Sequence, residues 1–180
     1  MNETTSPAKV AIQYGVIFGV IMILELVIPY VMGINLLENK TLGLVFNLVN
    51  YLVLPILFIY LAVDNFKKNH NKGFLAFGQA LKGGVTVTVI AGLVAGVFTV
   101  IFNLIFPEYL AEILSKTREM MIETNPSMTQ EQLDTSVEMI KKFSSPYITL
   151  PVTVAMYAFI GLIYSLIIGA ILKNDQPQGY

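Results

Sequence analysis

The sequence contains no cysteine and one histidine, and only 13% of its 180 residues are charged. Without cysteine there is no disulfide, no thiolate metal site and no palmitoylation. His70 stands alone in "KKNHNK", residues 67–72. One exposed imidazole without partners makes neither a metal site nor a catalytic base. The shortage of charge excludes more. A soluble domain carries about 25% charged residues; a chain with so few lacks the polar surface to wrap a globule of this size. A net charge of −1 gives no electrostatic footprint for nucleic acid. With 55% of the residues hydrophobic, the solvent that fits this sequence is lipid.

Four apolar runs follow one another, at 10–34, 41–63, 83–106 and 147–172. Glu25 is the one charge in the first, and the others hold none. Each exceeds the roughly 20 residues that a spanning helix needs. The first run is too long for a signal-peptide core and lacks a small-residue cleavage site, so it reads as an uncleaved span. The expected fold is all-α, a single membrane domain over 1–180 built as a bundle of four transmembrane helices.

The segment 107–146 is inserted between the third and fourth spans and reads as an extramembrane helical hairpin. Pro107 suits a first helical turn, and Glu108 and Glu112 follow where the helix dipole favours them. "NPS" at 125–127 breaks the pattern, and Thr129 with Gln132 forms a capping box for a second helix. Leu110, Ile113, Leu114, Thr117 and Met121 recur at helical spacing, as do Leu133, Val137, Ile140 and Phe143. Glu112–Lys116 and Glu138–Lys142 are expected as i,i+4 ion pairs. Neither arm is large enough for its own core, so the stripes must pack on each other, on the membrane face or on a partner.

Positive charge orients the chain. Lys67, Lys68, Lys72 and Lys82 crowd the short 64–82 loop, whereas Lys116, Arg118, Lys141 and Lys142 are diluted among the acidic residues of 107–146. Both termini are therefore expected on the cytoplasmic side. "KKNHNK" reads first as this topology signal, and second as an anionic-lipid contact.

In lipid, helices approach through small residues. Ala11, Gly15 and Gly19 form such a ladder on the first span, Thr88, Gly92 and Gly96 on the third, and Gly161, Ser165 and Gly169 on the fourth. They serve packing within one bundle, or a homo-oligomer. The second span has no ladder and offers Asn47, Asn50 and Tyr51 instead.

Counting residues from each span's midpoint places Glu25, Asn47, Asn50 and Tyr157 in one layer, Glu25 roughly 4–5 Å from the centre. An ionised carboxylate alone in hydrocarbon costs several kcal/mol at least. Glu25 is therefore expected to carry a proton and donate it to Asn47, Asn50 or Tyr157. Pro29 lacks the N–H that would bond the Glu25 carbonyl, so a kink is expected there.

The order of features resembles a known family. "YG…G" (Tyr14, Gly15, Gly19) opens the first span, and "GFLAFGQALKGG" (Gly73–Gly84) leads into the third. "FPEYLAEIL" (Phe106–Leu114) leaves it, and "TQEQLD" (Thr129–Asp134) precedes the last span. Over roughly 10–172 this resembles the bacterial membrane-protein family called domain of unknown function forty-one ninety-nine (DUF4199). The resemblance implies a four-span inner-membrane protein and carries over no catalytic residue. Within the entry block, Phe74, Phe77 and Leu81 would share one face of an amphipathic extension at the interface.

No nucleophile–base pair, HExxH, P-loop or metal-ligand cluster is present in the sequence, so no enzyme, cofactor or metal is expected. The leading expectation is a structural or regulatory inner-membrane protein of unassigned biochemical activity. It would act through contacts with a membrane or envelope protein at 107–146. The alternative is a small oligomeric transporter or proton-linked channel using Glu25.

Overall fold

Four helices long and apolar enough to cross a membrane make up most of the chain, and each starts on a local signal. The computed structural model describes residues 5–176. The Ser6 side chain accepts the Lys9 N–H and Pro7 fills the first turn, so α1 runs Pro7–Val31. It stops short of Gly33, whose φ of +65° reverses the chain. The first span thus lies three residues earlier than the apolar run suggests.

The second span begins at α2, Lys40–Leu48, capped by Asn39 accepting the Leu42 N–H. A π-helical turn at Val49–Val53 leads into α3, Leu54–Asn65, and a second one at Phe66–His70 ends the span. The first π turn has an identifiable cause. Pro55 brings no N–H to the Tyr51 carbonyl, and the Tyr164 hydroxyl donates to that carbonyl instead, at 2.8 Å.

Because the helix continues to His70, Lys67 and Lys68 sit on it rather than in a loop. Lys67 Nζ donates to the Leu172 carbonyl at 2.8 Å, a cation at the end of the last span, and Lys68 pairs with Asp64 at 2.8 Å.

After a turn through Lys72 and Gly73, both at positive φ, α4 runs Phe77–Ile105. It begins well before the predicted residue 83. Phe74 lies in the turn, so Phe74, Phe77 and Leu81 do not form one helical face. Phe77 and Ala80 instead pack on Gly169 of α7, Pro146–Leu172. Leu75 and Asn174 exchange backbone hydrogen bonds of 2.7 and 3.0 Å, which ties the end of the chain to this turn. The extramembrane hairpin is α5, Pro107–Thr124, and α6, Gln130–Phe143.

Helix α4 is the centre of the bundle, between α1 and α7. A Cβ on Gly15 would lie 2.7 Å from the Val87 carbonyl oxygen, and one on Gly19 2.7 Å from Val94 Cβ. On its other side, a Cβ on Gly84 would collide with Ser165 Oγ, and one on Gly161 with Thr88 Oγ1. Tyr157 and Leu150 close on Gly92 and Gly96. The predicted packing positions Gly15, Gly19, Gly92, Gly96, Gly161, Ser165 and Gly169 are all buried, each within this one chain. Gly84 belongs to the same series, four residues before Thr88; extending the i,i+4 register backwards finds it.

Phe18 stacks on Phe58 at 5.5 Å and meets Tyr157 edge-on at 5.9 Å. With Ile59, Val87 and Thr88 fully buried, the middle of the bundle is closed. Ile17, Ile28, Phe159 and Ile171 are exposed on its outside, the arrangement lipid requires.

Candidate functional site

Shifting α1 moves Glu25. It lies six residues beyond the midpoint of Pro7–Val31, about 9 Å toward the hairpin end rather than 4–5 Å. Asn50 lies five residues from the midpoint of Lys40–His70 on the same side, about 7–8 Å. The two side chains meet. Glu25 Oε2 and Asn50 Oδ1 are both buried, and neither has a hydrogen-bond partner among the described residues. Buried polar atoms are rarely left so.

Both residues line a cavity of about 420 Å³ between α1, the 33–37 turn, the start of the second span and α5. Its origin is the missing ladder. The second span has no small-residue ladder with which to close on α1; its Gly43 is used against the Leu36 carbonyl of the preceding turn, and α2 buries none of its own residues. The turn is set by Asn35 Oδ1, which accepts the Leu37 N–H at 2.9 Å. The walls are Met22, Leu26, Phe46 and Ile113, with three phenols, Tyr30, Tyr51 and Tyr109. The polar lining is Glu25, Glu112 and the asparagines Asn35, Asn47 and Asn50; no Lys, Arg or His takes part.

The other predicted members of the layer fall differently. Asn47 lines the cavity, but its Nδ2 donates to the Gly43 carbonyl at 2.8 Å and not to Glu25. The backbone carbonyl one turn back on the same helix is nearer than the facing helix. Tyr157 stands behind the cavity, its ring 6.1 Å from that of Tyr51. Pro29 is in the last turn of α1 and lines the cavity, so the carbonyl it frees is close to the helix end and not at mid-span.

Residues of α5 roof the cavity. Its first turn is anchored by aromatic contacts: the Tyr30 ring lies 5.0 Å from Phe102 and 5.4 Å from Tyr109, and Phe102 lies 4.9 Å from Phe106. Burial, and next the Glu112 carboxylate, push the Tyr109 phenol above its ordinary range. Lys116 pairs with Glu38 in the turn after α1 and lies 3.9 Å from Glu119, so the expected Glu112–Lys116 pair is not formed. The Glu38 and Glu119 carboxylates hold the Lys116 ammonium more strongly in its charged form. Glu138–Lys142 is likewise not among the ion pairs of the described residues.

The arms of the hairpin are clasped. Gln132 N–H donates to Thr129 Oγ1 at 3.3 Å and Thr129 N–H to Gln132 Oε1 at 2.9 Å, the predicted capping box. Arg118 Nη2 reaches across to Asp134 at 2.8 Å and Gln130 at 3.0 Å. Leu133 is buried at 2% exposure, whereas Ile122, Met139 and Phe143 remain 45%, 56% and 56% exposed. The predicted stripe of α6 is thus buried at its start and open at its end. Sequence periodicity missed the clasp, since Arg118 and Asp134 lie on different helices. Among the described residues no group of three or more His, Asp or Glu side chains is arranged to hold a metal.

A family model described as a protein of unknown function, DUF4199, matches residues 13–174. No curated protein and no solved structure matches the chain.

Proposed function

The chain belongs to the DUF4199 family, and we propose that it is a bacterial inner-membrane protein, structural or regulatory, acting through protein contacts at its hairpin. Both termini face the cytoplasm in this reading, and no catalytic step is assigned to it. The observation that carries it is the clasped and anchored hairpin with Ile122, Met139 and Phe143 left uncovered. A loose loop would neither fix these side chains nor hold them above the bundle. The partner is a membrane or envelope protein with an apolar contact surface.

A photo-crosslinking residue at Met139 or Phe143 should give one discrete adduct in cells. The same residue at lipid-facing Tyr60 should not, and Glu119→Lys should weaken the adduct while the bundle stays folded. If neither hairpin position yields an adduct, the contact reading is wrong.

The cavity supports a second reading, a small oligomeric transporter or proton-linked channel. Its observation is the buried, unpartnered Glu25 Oε2 in the wall of a cavity that reaches into a span. Glu25→Gln should then abolish flux into proteoliposomes and leave helical content unchanged. Flux at the wild-type rate in that variant, or a strictly monomeric protein in lipid, disposes of the transport reading.

A further inference from the structure

We propose that the cavity between α1, the start of the second span and α5 binds the primary ammonium group of an amphiphilic amine. The inference gives a substrate class to the transport reading of the same site. It concerns binding and does not require flux.

Hydrogen-bond accounting selects the ligand. Glu25 Oε2 and Asn50 Oδ1 are two buried acceptors without a donor, on side chains that touch. An apolar occupant brings no donor and would leave a proton held on Glu25 as the one means of joining the two. An anion would add more acceptors where no Lys, Arg or His answers them. A quaternary ammonium brings charge but no N–H. A primary ammonium brings three donors and a positive charge, enough for both oxygens with one to spare. When no ligand is bound, a proton on Glu25 given to Asn50 Oδ1 satisfies the same two atoms; the ammonium takes the place of that proton, which leaves to water.

The remaining walls agree. Tyr30, Tyr51 and Tyr109 line the cavity with rings of the kind that attract cations, and Glu112 adds a second carboxylate from the roof. Among the described residues Glu112 has no ion pair. Leu26, Phe46 and Met22 provide apolar surface for the rest of the ligand. A volume of about 420 Å³ suits a small ligand or one lipid headgroup with the first part of its chain. The ammonium can therefore come from a free amine or from an aminolipid.

The test uses the full chain in phosphatidylcholine nanodiscs, titrated calorimetrically with hexylamine, hexyltrimethylammonium and hexanoate. Hexylamine should bind at least ~10-fold more tightly than its trimethyl analogue, the value of charge-assisted hydrogen bonds the latter cannot make. Hexanoate should not bind, and Glu25→Gln should weaken hexylamine by ~10-fold or more.

Adding phosphatidylethanolamine to the discs separates the sources. Suppressed hexylamine binding means that the aminolipid is the occupant; unchanged binding means a free amine, and either outcome supports an ammonium site. Equal binding of hexylamine and its trimethyl analogue, or preference for hexanoate, overturns the proposal. If Glu25→Gln does not fold, a diazirine-bearing amine on the wild type decides. Adducts within 22–51 and 109–113 support the site, and adducts elsewhere overturn it. Binding without flux removes the transport reading alone. Flux lost in Glu25→Gln, in a protein that binds no amine, removes this inference alone.

Discussion

At the scale of single residues, the molecule's polar groups divide by whether a backbone partner lies within reach. Asn47 finds the Gly43 carbonyl on its own helix, whereas Glu25 and Asn50 meet each other and each keeps one buried oxygen without a partner. Tyr109 is the outer counterpart, a phenol half-buried over the cavity and raised first by burial and then by Glu112. Its folded value lies above the ordinary 10.0, so the neutral phenol is the form the fold favours. The stabilisation is present in full below that ordinary value and is lost as pH rises through the folded one. Alkaline titration should therefore release α5 from Tyr30 and Phe102, read as a rise in phenolate absorbance with loss of α5 amide protection. Tyr109→Phe should remove that transition, and Glu112→Gln should move it to lower pH.

At the scale of elements, close approach decides which helices pair. α1 and α7 reach the α4 backbone because glycines stand at the crossing points; α2 has a single glycine, Gly43, set against the Leu36 turn and not against another span, and buries nothing. Two glycines that look alike in sequence should therefore behave oppositely. Gly15→Ala places a methyl 2.7 Å from the Val87 carbonyl oxygen and should cost about 1–3 kcal/mol. Gly78→Ala, with nothing within 4 Å, should be neutral or stabilise α4 by up to about 1 kcal/mol. Reversible unfolding in mixed micelles measures both. The ladders at Gly15, Gly19, Gly92, Gly96 and Gly161 were legible because i,i+4 spacing puts small residues on one face whatever the partner. Which helix lies against that face was not legible.

At the scale of the whole molecule, the two ends differ. The end with the termini is tied by the Leu75–Asn174 bridge and by Lys67 on Leu172, while the other carries the cavity and the hairpin above it. The absence of cysteine makes sidedness directly measurable. Single cysteines at Ser127 and Asp175 should label from opposite sides, Ser127→Cys from outside intact spheroplasts and Asp175→Cys after permeabilisation alone. The reverse pattern would invert the proposed orientation.

Composition and local spacing were sufficient for the four spans, the hairpin with its Thr129–Gln132 box and the buried small residues, because these depend on transfer into lipid and on interactions within a few residues. The span limits moved where local interactions outweighed hydropathy: Ser6 and Pro7 start α1 early, and the second span continues past Val63 through the π-helical turn at Phe66–His70, where Lys67 reaches Leu172. Only the tertiary structure decided that Lys116 takes Glu38, that Arg118 clasps Asp134, and that Glu25 meets Asn50 over a cavity and not in a closed layer. Those contacts join residues far apart in the chain. Their geometry follows from how near two helices can come, which one strand of sequence does not contain.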